Sequence, residues 1–186
     1  MRIVFLGPPG AGKGTQAQRL KDYLNIAHLS TGEMLRDAGE SGTPLGREAA
    51  RYMNSGKLVP DEVVVGVVSD RMKCDDCVHG CLFDGFPRTV PQAEALDRML
   101  ADCNKPLDLV LALDVSEPQL IERLLARGRL DDDLETIRER FRQYHRLTQP
   151  LLNYYRDRGV LREINAEGTP DEVFERIRDA IKSGPT

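Results

Sequence analysis

The architecture of this chain is best predicted from one loop, Gly7-Pro8-Pro9-Gly10-Ala11-Gly12-Lys13-Gly14-Thr15. The loop follows the apolar run Ile3-Val4-Phe5-Leu6 and precedes a segment with apolar residues at 17, 20 and 24, the spacing of one helix face. A glycine-rich loop between a buried strand and a helix is the context of a phosphate-binding loop. In such a loop the backbone N–H groups and the helix N-terminus attract phosphate oxygens, and Lys13 adds a full positive charge.

The loop matches the pattern G-x-x-x-x-G-K but departs from it at the next position. Gly14 stands where a strict phosphate-binding loop has the Ser or Thr whose hydroxyl contacts Mg²⁺, and Thr15 comes one place late. The alternative is a glycine-rich turn without a ligand. The agreement of spacing, strand, helix and lysine favours phosphate binding.

The size and charge of the chain limit its possible classes. Its 186 residues suffice for a single domain with a full hydrophobic core. The formal net charge is −4, which disfavours nucleic acid or an anionic membrane as the main partner. No apolar run approaches the roughly 20 residues that span a bilayer, and Met1-Arg2 leads directly into a predicted strand without a signal peptide. We therefore expect a cytoplasmic protein.

Three cysteines and a histidine raise the alternative of a zinc site. Cys74, Cys77, His79 and Cys81 have the short spacing that zinc ligands show. They form one compact group without a second ligand pair, and they adjoin a predicted strand. We therefore expect free thiols and no structural zinc, and a zinc-dependent interaction module is the weaker alternative.

Five apolar runs alternate with helical patterns along the chain. Alternation of this kind predicts an α/β fold with a five-stranded parallel sheet and helices on both faces. Ligands of such sheets bind beyond the carboxyl ends of the strands. The runs cover residues 3–6, 27–29, 82–83, 107–115 and 160–164.

Several polar residues predict where the helices begin. Ser30 with Glu33, Ser116 with Gln119, and Thr169 with Glu172 have the spacing of capping boxes. Asp61 is predicted to cap the next helix, and Asp132 with Glu135 to mark the start of a later one. The last long helix should run from 134 to about 158 and bend at Pro150.

Asp84 directly follows the third apolar run. In a protein with a phosphate-binding loop, a carboxylate at a strand end is the usual place for the Asp that orders Mg²⁺ or its water shell. An Asp that only begins a Gly-Pro turn is the alternative. Its combination with the loop favours the metal role, so we predict that Asp84 contacts Mg²⁺ through water.

Arginines are concentrated in the second half of the chain. Arg123, Arg127 and Arg129 lie within seven residues at the end of a predicted helix, and Arg140 follows downstream. Cations near a helix C-terminus offset the helix dipole, which is the simpler explanation. Close arginines also repel one another unless an anion lies between them, and a triphosphate is a candidate. We favour phosphate binding.

The loop with Gly14-Thr15 after the lysine, and the segment Asp84-Gly85-Phe86-Pro87-Arg88, resemble the adenylate kinases, a nucleoside monophosphate kinase family. The resemblance covers nearly the whole chain. It implies the P-loop nucleoside-triphosphate-binding fold and reversible phosphoryl transfer from Mg-ATP to AMP, giving two ADP, a reaction of adenine nucleotide homeostasis. It also implies the ligands ATP, AMP and ADP, and we expect a monomer.

The resemblance also implies roles for individual residues. Arg36 and Arg88 match the residues that hold the AMP phosphate, Gln92 matches the contact to its adenine, and Gly168 matches the backbone contact to the adenine of ATP. Asp131 and Asp132 match carboxylates that orient the phosphates or help to bind them. The implied catalytic residues are Lys13, Arg88, Arg123, Arg127, Arg129 and Arg140. The implied ATP contacts are Gly10, Ala11, Gly12, Lys13, Gly14, Thr15, Arg127 and Gly168. The implied AMP contacts are Thr31, Arg36, Lys57, Leu58, Val59, Gly85, Phe86, Pro87, Arg88, Gln92, Arg129 and Arg140.

The resemblance also implies two smaller regions beside the main domain. Residues 30–59 match the helical AMP-binding insert, and residues 126–132 match the lid over ATP. Only Gly128 separates Arg127 from Arg129, so the lid is minimal and the chain belongs to the short-lid type.

Two alternatives to AMP phosphorylation remain open at this point. A UMP/CMP kinase commonly has Ala at the position of Thr31 and differs after Arg88, so Thr31, Thr89 and Gln92 favour AMP. A non-catalytic P-loop nucleotide-binding module would need the loop and Asp84 but not Arg36, Arg88 and Gln92.

Overall fold

A five-stranded parallel sheet forms the centre of the computed structural model, which describes residues 1–129 and 132–183. The strands lie in the order β2-β3-β1-β4-β5, and every neighbouring pair is parallel. The predicted parallel sheet is therefore confirmed, and each strand overlaps one of the predicted apolar runs. The strands are β1 (Arg2–Leu6), β2 (Ala27–Ser30), β3 (Cys81–Asp84), β4 (Leu109–Asp114) and β5 (Leu161–Asn165).

Helices cover both faces of this sheet, as the apolar character of its strands predicts. The helices in the described part of the chain are α1 (Lys13–Leu24), α2 (Thr31–Glu40), α3 (Pro44–Asn54), α4 (Asp61–Met72), α5 (Val90–Asp102), α6 (Glu117–Arg127), α7 (Leu134–Gln143), α8 (Pro150–Arg156) and α9 (Pro170–Lys182). Among the described helices there is none long and apolar enough to cross a membrane.

The alternation of side chains along β1 divides the core into two clusters. Ile3 and Phe5 pack with apolar residues of α1, α6, α7 and α9. Val4 and Leu6 pack with apolar residues of α2, α3, α4, α5 and α8. All four side chains are at most 2% exposed. A strand buried on both faces needs a continuous apolar run, which is why β1 was easy to predict.

The predicted caps at Ser30 and Thr169 are confirmed. The Ser30 side chain accepts a hydrogen bond from the Glu33 N–H at 3.4 Å. Thr169 and Glu172 form a complete capping box at the start of α9. Ser116 precedes α6, but its side chain makes no capping hydrogen bond, so the second predicted box is wrong.

The predicted acidic caps at Asp61 and Asp132 are also wrong. Asp61 is the first residue of α4, after Pro60, and its carboxylate points to α5 instead. Helix α7 is capped by Asp133, which accepts from two backbone N–H groups at 3.0 Å. Asp132 lies just outside α7 and pairs with arginines. In both cases the carboxylate bonds to side chains instead of a helix terminus, and a capping pattern in the sequence does not reveal such partners.

The long helix predicted for 134 to about 158 is interrupted by a π-helical segment, Tyr144–Thr148. The Gln149 N–H donates to the Tyr144 carbonyl, five residues back, at 2.9 Å. Pro150 follows, and because it has no N–H it cannot continue the α-helical hydrogen bonds. The predicted disturbance at Pro150 is therefore present, as a wider turn before it. Such turns are frequent at functional sites, and this one places Tyr144 and Thr148 in the wall of the cleft described below.

The thiols of the sequence are free cysteines: Cys77 and Cys81 are buried, and Cys74 and Cys103 are exposed. Burial raises the pKa of Cys77 to about 11 and that of Cys81 to about 12, so both are protonated at neutral pH. Within residues 1–129 and 132–183, no group of three or more His, Cys, Asp or Glu side chains is placed to hold a metal ion. The zinc-module alternative gains no support from this geometry.

Candidate active site

A cleft of about 800 Å³ lies at the carboxyl ends of the strands, where a parallel sheet is expected to bind its ligand. Its walls come from both halves of the chain. They carry far more positive than negative charge, although the whole chain is acidic. The basic residues that line it are Lys13, Arg36, Lys57, Arg88, Arg123, Arg127, Arg129 and Arg140.

The phosphate-binding loop forms one end of the cleft. Gly10 and Gly12 have φ angles of +85° and +90°, which favour glycine. A Cβ on Gly10 would lie 2.8 Å from the Leu120 carbonyl oxygen, so the loop packs directly against α6. The remaining predicted loop contacts, from Ala11 to Thr15, also line the cleft.

Lys13 is folded back onto its own loop. Its Nζ donates to the carbonyl oxygens of Gly7 at 2.7 Å and Pro8 at 2.8 Å. Burial lowers the pKa of Lys13 to about 8, Asp84 opposes this shift, and the charges of Arg88 and Arg127 add to it. A phosphate placed against the loop would favour the charged amine again, because an anion stabilises the protonated form.

Asp84 ends β3 beside β1, in register with Phe5. Burial alone would raise the pKa of its carboxyl, but His28, Lys13 and Arg88 together lower it below its usual value. A Cβ on Gly14 would lie 3.6 Å from Asp84 Oδ2. The position that carries a hydroxyl in a strict phosphate-binding loop therefore lies next to this ionised carboxylate.

His28 lies beside Asp84, a placement that sequence reasoning missed. It is on β2, and its Nε2 is 3.5 Å from Asp84 Oδ2 with both side chains about nine-tenths buried. The residues on either side of it, Ala27 and Leu29, pack into the core. The alternation of strand side chains would have placed His28 on the other face, but no motif contains it.

Asp132 binds three arginines that line the cleft. Its carboxylate accepts from Arg127 Nε at 2.9 Å and Nη2 at 2.6 Å, and from Arg140 Nη1 at 3.1 Å. It also accepts from the Arg129 backbone N–H at 3.1 Å. Burial would raise the pKa of Asp132, but these hydrogen bonds and charges lower it. Asp131, its predicted companion, lies outside the described residues.

The arginines of the cleft repel one another. Desolvation, followed by the charges of neighbouring arginines, lowers the pKa values of Arg129 and Arg140, the latter to about 10. Desolvation and Arg36 also lower the pKa of Arg88, against the opposing effect of Asp84. A set of cations that destabilise one another favours binding of a polyanion.

The loop after β3 carries Arg88 into the cleft. The chain passes through a cis Phe86–Pro87 peptide, and Arg88 Nε donates to the Gly85 carbonyl at 2.8 Å. The Arg88 backbone N–H donates to Gln92 Oε1 at 2.7 Å, and its carbonyl accepts from Thr148 Oγ1 at 2.9 Å. The main chain at Arg88 is therefore held from two sides.

Most of the predicted ATP and AMP contact residues line the cleft, but Thr31, Val59, Phe86 and Gln92 do not. Thr31 is 2% exposed and its hydroxyl donates to the Asp84 carbonyl at 3.2 Å. Val59 and Phe86 belong to the apolar core. Gln92 is 1% exposed, with both ends of its amide bonded to protein groups. Gly85, Pro87, Leu58 and Gly168 do line the cleft, and Arg123 also donates to the Ala166 carbonyl at 3.3 Å.

Sequence reasoning also missed Tyr144, Thr148 and the partners of Asp61. Tyr144 and Thr148 reach the cleft through the π-helical segment. Asp61 accepts from Thr89 and Gln92, 28 and 31 residues away. Pro150 was a signal that the helix around Tyr144 and Thr148 would be disturbed. The sequence has no signal for the partners of Asp61.

Comparison with known proteins gives the same family throughout. The family model described as adenylate kinase matches residues 5–160. A relative from Leptospira biflexa, named adenylate kinase, is 47% identical over 184 residues, covering 97% of this chain and 99% of the relative. Adenylate kinases from Thermodesulfovibrio yellowstonii and Clostridium botulinum are 46% and 43% identical over 208 and 212 residues, covering 95% and 97% of this chain and 97% and 98% of those relatives.

The last two alignments are longer than this chain of 186 residues, so those relatives contain residues that this chain lacks. The match nonetheless extends over the phosphate-binding loop, the Arg88 loop and the arginines of α6 and α7. Parallel sheet, cleft and sequence agree, and this chain belongs to the adenylate kinase family.

Proposed function

We propose that this chain transfers a phosphoryl group reversibly from Mg-ATP to AMP through the cleft described above, giving two ADP. The observation that carries the proposal is the pairing of a phosphate-binding loop with a cluster of mutually repelling arginines in one continuous cleft. Two phosphorylated ligands meeting end to end would satisfy both sets of cations.

Mg²⁺ fits the residues that are present. Adenylate kinases as a family use Mg-ATP, and the ion binds through one or two carboxylates together with phosphates and waters. Asp84 supplies an ionised carboxylate near Lys13 and Gly14, at the loop that would hold the phosphates. When bound with ATP, the ion neutralises phosphate charge.

On the donor side, Lys13 and the loop from Gly10 to Thr15 hold the ATP phosphates. Lys13 exchanges its two loop carbonyls for phosphate oxygens. Gly168 lines the cleft, and in this proposal its backbone contacts the adenine of ATP.

On the acceptor side, Arg36 and Arg88 hold the AMP phosphate. Both line the cleft, and Arg36 is close enough to lower the pKa of Arg88. Thr31, Gly85 and Gln92 surround the nucleoside, together with Lys57, Leu58, Val59, Phe86 and Pro87.

The chemical step needs little proton transfer. The nucleophile is a phosphate oxygen of AMP, which is already ionised near neutral pH, so no general base is required. Catalysis then consists of alignment and neutralisation of charge. Arg123, Arg127, Arg129 and Arg140 neutralise the phosphoryl group in transit. Residues 30–59 act as an AMP-binding insert and 126–132 as a minimal lid, and both exclude water from the reaction.

Family membership disfavours the alternatives of a UMP/CMP kinase and of a non-catalytic nucleotide-binding module. A direct assay separates all three. Purified protein is mixed with Mg-ATP and, separately, with AMP, UMP, CMP or GMP, and nucleoside diphosphate formation is followed. Rapid ADP formation with AMP and not with the others is the expected result. Preference for UMP or CMP, or tight ATP binding without transfer, would overturn the proposal.

A further inference from the structure

A hydrogen-bonded chain connects the start of α4 to the main chain at Arg88. Asp61 Oδ1 accepts from Gln92 Nε2 at 2.7 Å, and Asp61 Oδ2 accepts from Thr89 Oγ1 at 2.8 Å. Gln92 Oε1 in turn accepts from the Arg88 N–H at 2.7 Å. One carboxylate is thus linked to the phosphate-binding Arg88 loop through a single amide.

This chain determines which way the Gln92 amide faces. A carboxylate only accepts hydrogen bonds and a backbone N–H only donates, so the amide nitrogen must face Asp61 and the amide oxygen must face Arg88. The reverse orientation would place two acceptors together at one end and two donors together at the other. Gln92 is 1% exposed, so water cannot repair either mismatch.

We infer that Asp61 is a positioning residue that, together with the Arg88 N–H, selects the base of the acceptor nucleotide by holding the Gln92 amide in one orientation. This inference rests on the proposed function, in which Gln92 meets the base of AMP. After its two bonds to protein, the amide retains one acceptor site on Oε1 and one N–H on Nε2, in a set order. Whatever base reaches Gln92 must match that order.

Adenine and the 6-oxopurines present opposite patterns to such an amide. Adenine has an amino donor at position 6 next to ring-nitrogen acceptors. Hypoxanthine has a carbonyl acceptor at position 6 and an N–H donor at position 1. An amide held in one orientation pairs its donor and acceptor with those of adenine. With hypoxanthine it would place donor against donor and acceptor against acceptor, which a buried site penalises strongly.

The order of the Gln92 amide exists before any base arrives, because both ends of the amide are already bonded to protein groups. An amide free to turn would accept either pattern. Thr148 Oγ1 independently holds the Arg88 carbonyl at 2.9 Å. The Arg88 loop therefore stays bonded to Thr148 when the Gln92 amide turns. A change in the preferred base should then leave binding of the AMP phosphate unchanged.

The test uses Asp61→Asn, whose side chain can offer Gln92 either an oxygen or an NH₂ group. Rates with AMP and with IMP, both with Mg-ATP, are measured for the unaltered protein and the variant. We expect the ratio of kcat/KM for AMP to that for IMP to fall by up to about tenfold, since the charge-assisted bond is lost and only the Arg88 N–H still favours the original orientation. The change should lie mainly in the KM values for AMP and IMP, with the KM for ATP unchanged.

Glu62→Gln is the matched control, because Glu62 is exposed in the same first turn of α4 and loses the same charge. Its AMP-to-IMP ratio should equal that of the unaltered protein. Asp61→Glu keeps an acceptor-only group and should largely restore the ratio. Asp61→Ser, whose hydroxyl can donate or accept, replaces Asp61→Asn if thermal unfolding shows that the latter does not fold.

An unchanged ratio in folded Asp61→Asn or Asp61→Ser would overturn the inference, even where both rates fall together, because that pattern indicates a structural role only. An equal relaxation in Glu62→Gln would also overturn it. Failure of the proposed function is seen separately, as the absence of ADP formation from AMP by the unaltered protein.

Discussion

Two regions of the cleft, the loop end (residues 7–15) and the arginine end (Arg127, Arg129 and Arg140 with Asp132), concentrate positive charge by different means. At the loop end, backbone N–H groups are the main source of partial positive charge. The single lysine there, Lys13, donates through its Nζ to the carbonyl oxygens of Gly7 and Pro8. At the arginine end, side chains from α6 and α7 meet on one carboxylate, Asp132, which is 2% exposed at its side chain. The first arrangement is local in sequence and the second joins separate helices.

The difference shows how each end must respond to a ligand. The loop has glycine backbone geometry that another residue cannot adopt without strain, so its N–H groups are oriented before phosphate arrives. The arginine end carries surplus charge that only partly pairs with Asp132, so incoming phosphate competes for cations already in place. We expect the loop end to be sensitive to backbone changes and the arginine end to changes in charge.

Removal of the loop lysine should have the largest effect. In Lys13→Met, kcat/KM for the AMP reaction should fall by about 10³-fold or more, because a charge aimed at the transferring phosphates is lost. The ligand-free protein should become more stable, since burial of this amine, which lowers its pKa to about 8, no longer opposes folding. A rise in Tm of about 2–4 °C corresponds to roughly 1 kcal/mol in a chain of this size.

An enzyme assay and a thermal melt measure both parts of this prediction. Lys73→Met, in which an exposed lysine with a surface ion pair is changed, is the control and should leave both quantities nearly unchanged. Turnover close to normal in Lys13→Met would contradict the role assigned to the loop end.

Removal of the carboxylate at the arginine end should come next. Asp132→Asn leaves Arg127 and Arg140 without their common anion, and the free energy of unfolding should fall by about 3 kcal/mol. The pKa of Asp132 is lower in the folded protein than its usual value, so its contribution is present above that usual pKa and is lost as pH falls through the folded pKa. Stability of the variant should therefore vary less with pH in the acid range.

Urea unfolding at neutral and acid pH tests this prediction. Asp133→Asn is the control, because Asn caps a helix about as well as Asp and α7 should keep its cap. Equal losses in both variants would mean that the arginine pairs contribute nothing beyond helix capping.

Substitution of the loop glycines should have smaller effects on stability. Comparison of two of them separates the cost of backbone strain at a positive φ from the cost of a steric clash. Gly10→Ala combines a positive φ with a Cβ 2.8 Å from the Leu120 carbonyl, whereas Gly12→Ala has a positive φ and no heavy atom within 4 Å. We expect a loss of about 1–2 kcal/mol for Gly12→Ala and a larger one for Gly10→Ala. Unfolding without nucleotide isolates this difference, and equal losses would show that α6 yields to the loop.

The smallest effect should appear in the pH dependence of ATP binding. Lys13 loses its proton above about pH 8 in the ligand-free protein, while bound phosphate favours the protonated amine. Affinity should be level below that pH and fall by up to about tenfold per unit above it, with one proton taken up on binding. Calorimetry in buffers of different ionisation enthalpy measures the uptake. Lys13→Arg should show no such decline, and a decline of equal size there would assign it to another group.

The sequence alone predicted the features that depend on neighbouring residues. Buried strands appear as apolar runs because both faces of a parallel sheet are covered. The phosphate-binding loop appears as a glycine pattern because its conformation needs glycine at set positions. Asp84 was placed correctly at the end of β3 because a strand and the residue after it are inseparable.

Features that depend on how separate elements pack together were predicted wrongly or missed. Asp61 and Asp132 looked like helix caps, since an acidic residue before a helical pattern usually is one. Both instead pair with groups brought near by folding. His28 was missed because its importance comes only from β2 lying next to β3, which places it beside Asp84.

The sequence by itself therefore determined the sheet, the loop and the residue types that supply charge, because backbone geometry and burial act over a few residues. Only the tertiary structure decided which carboxylate holds which cation and which way the Gln92 amide faces. Those choices depend on how separate elements pack against one another, and a few tenths of an ångström decide whether a hydrogen bond forms.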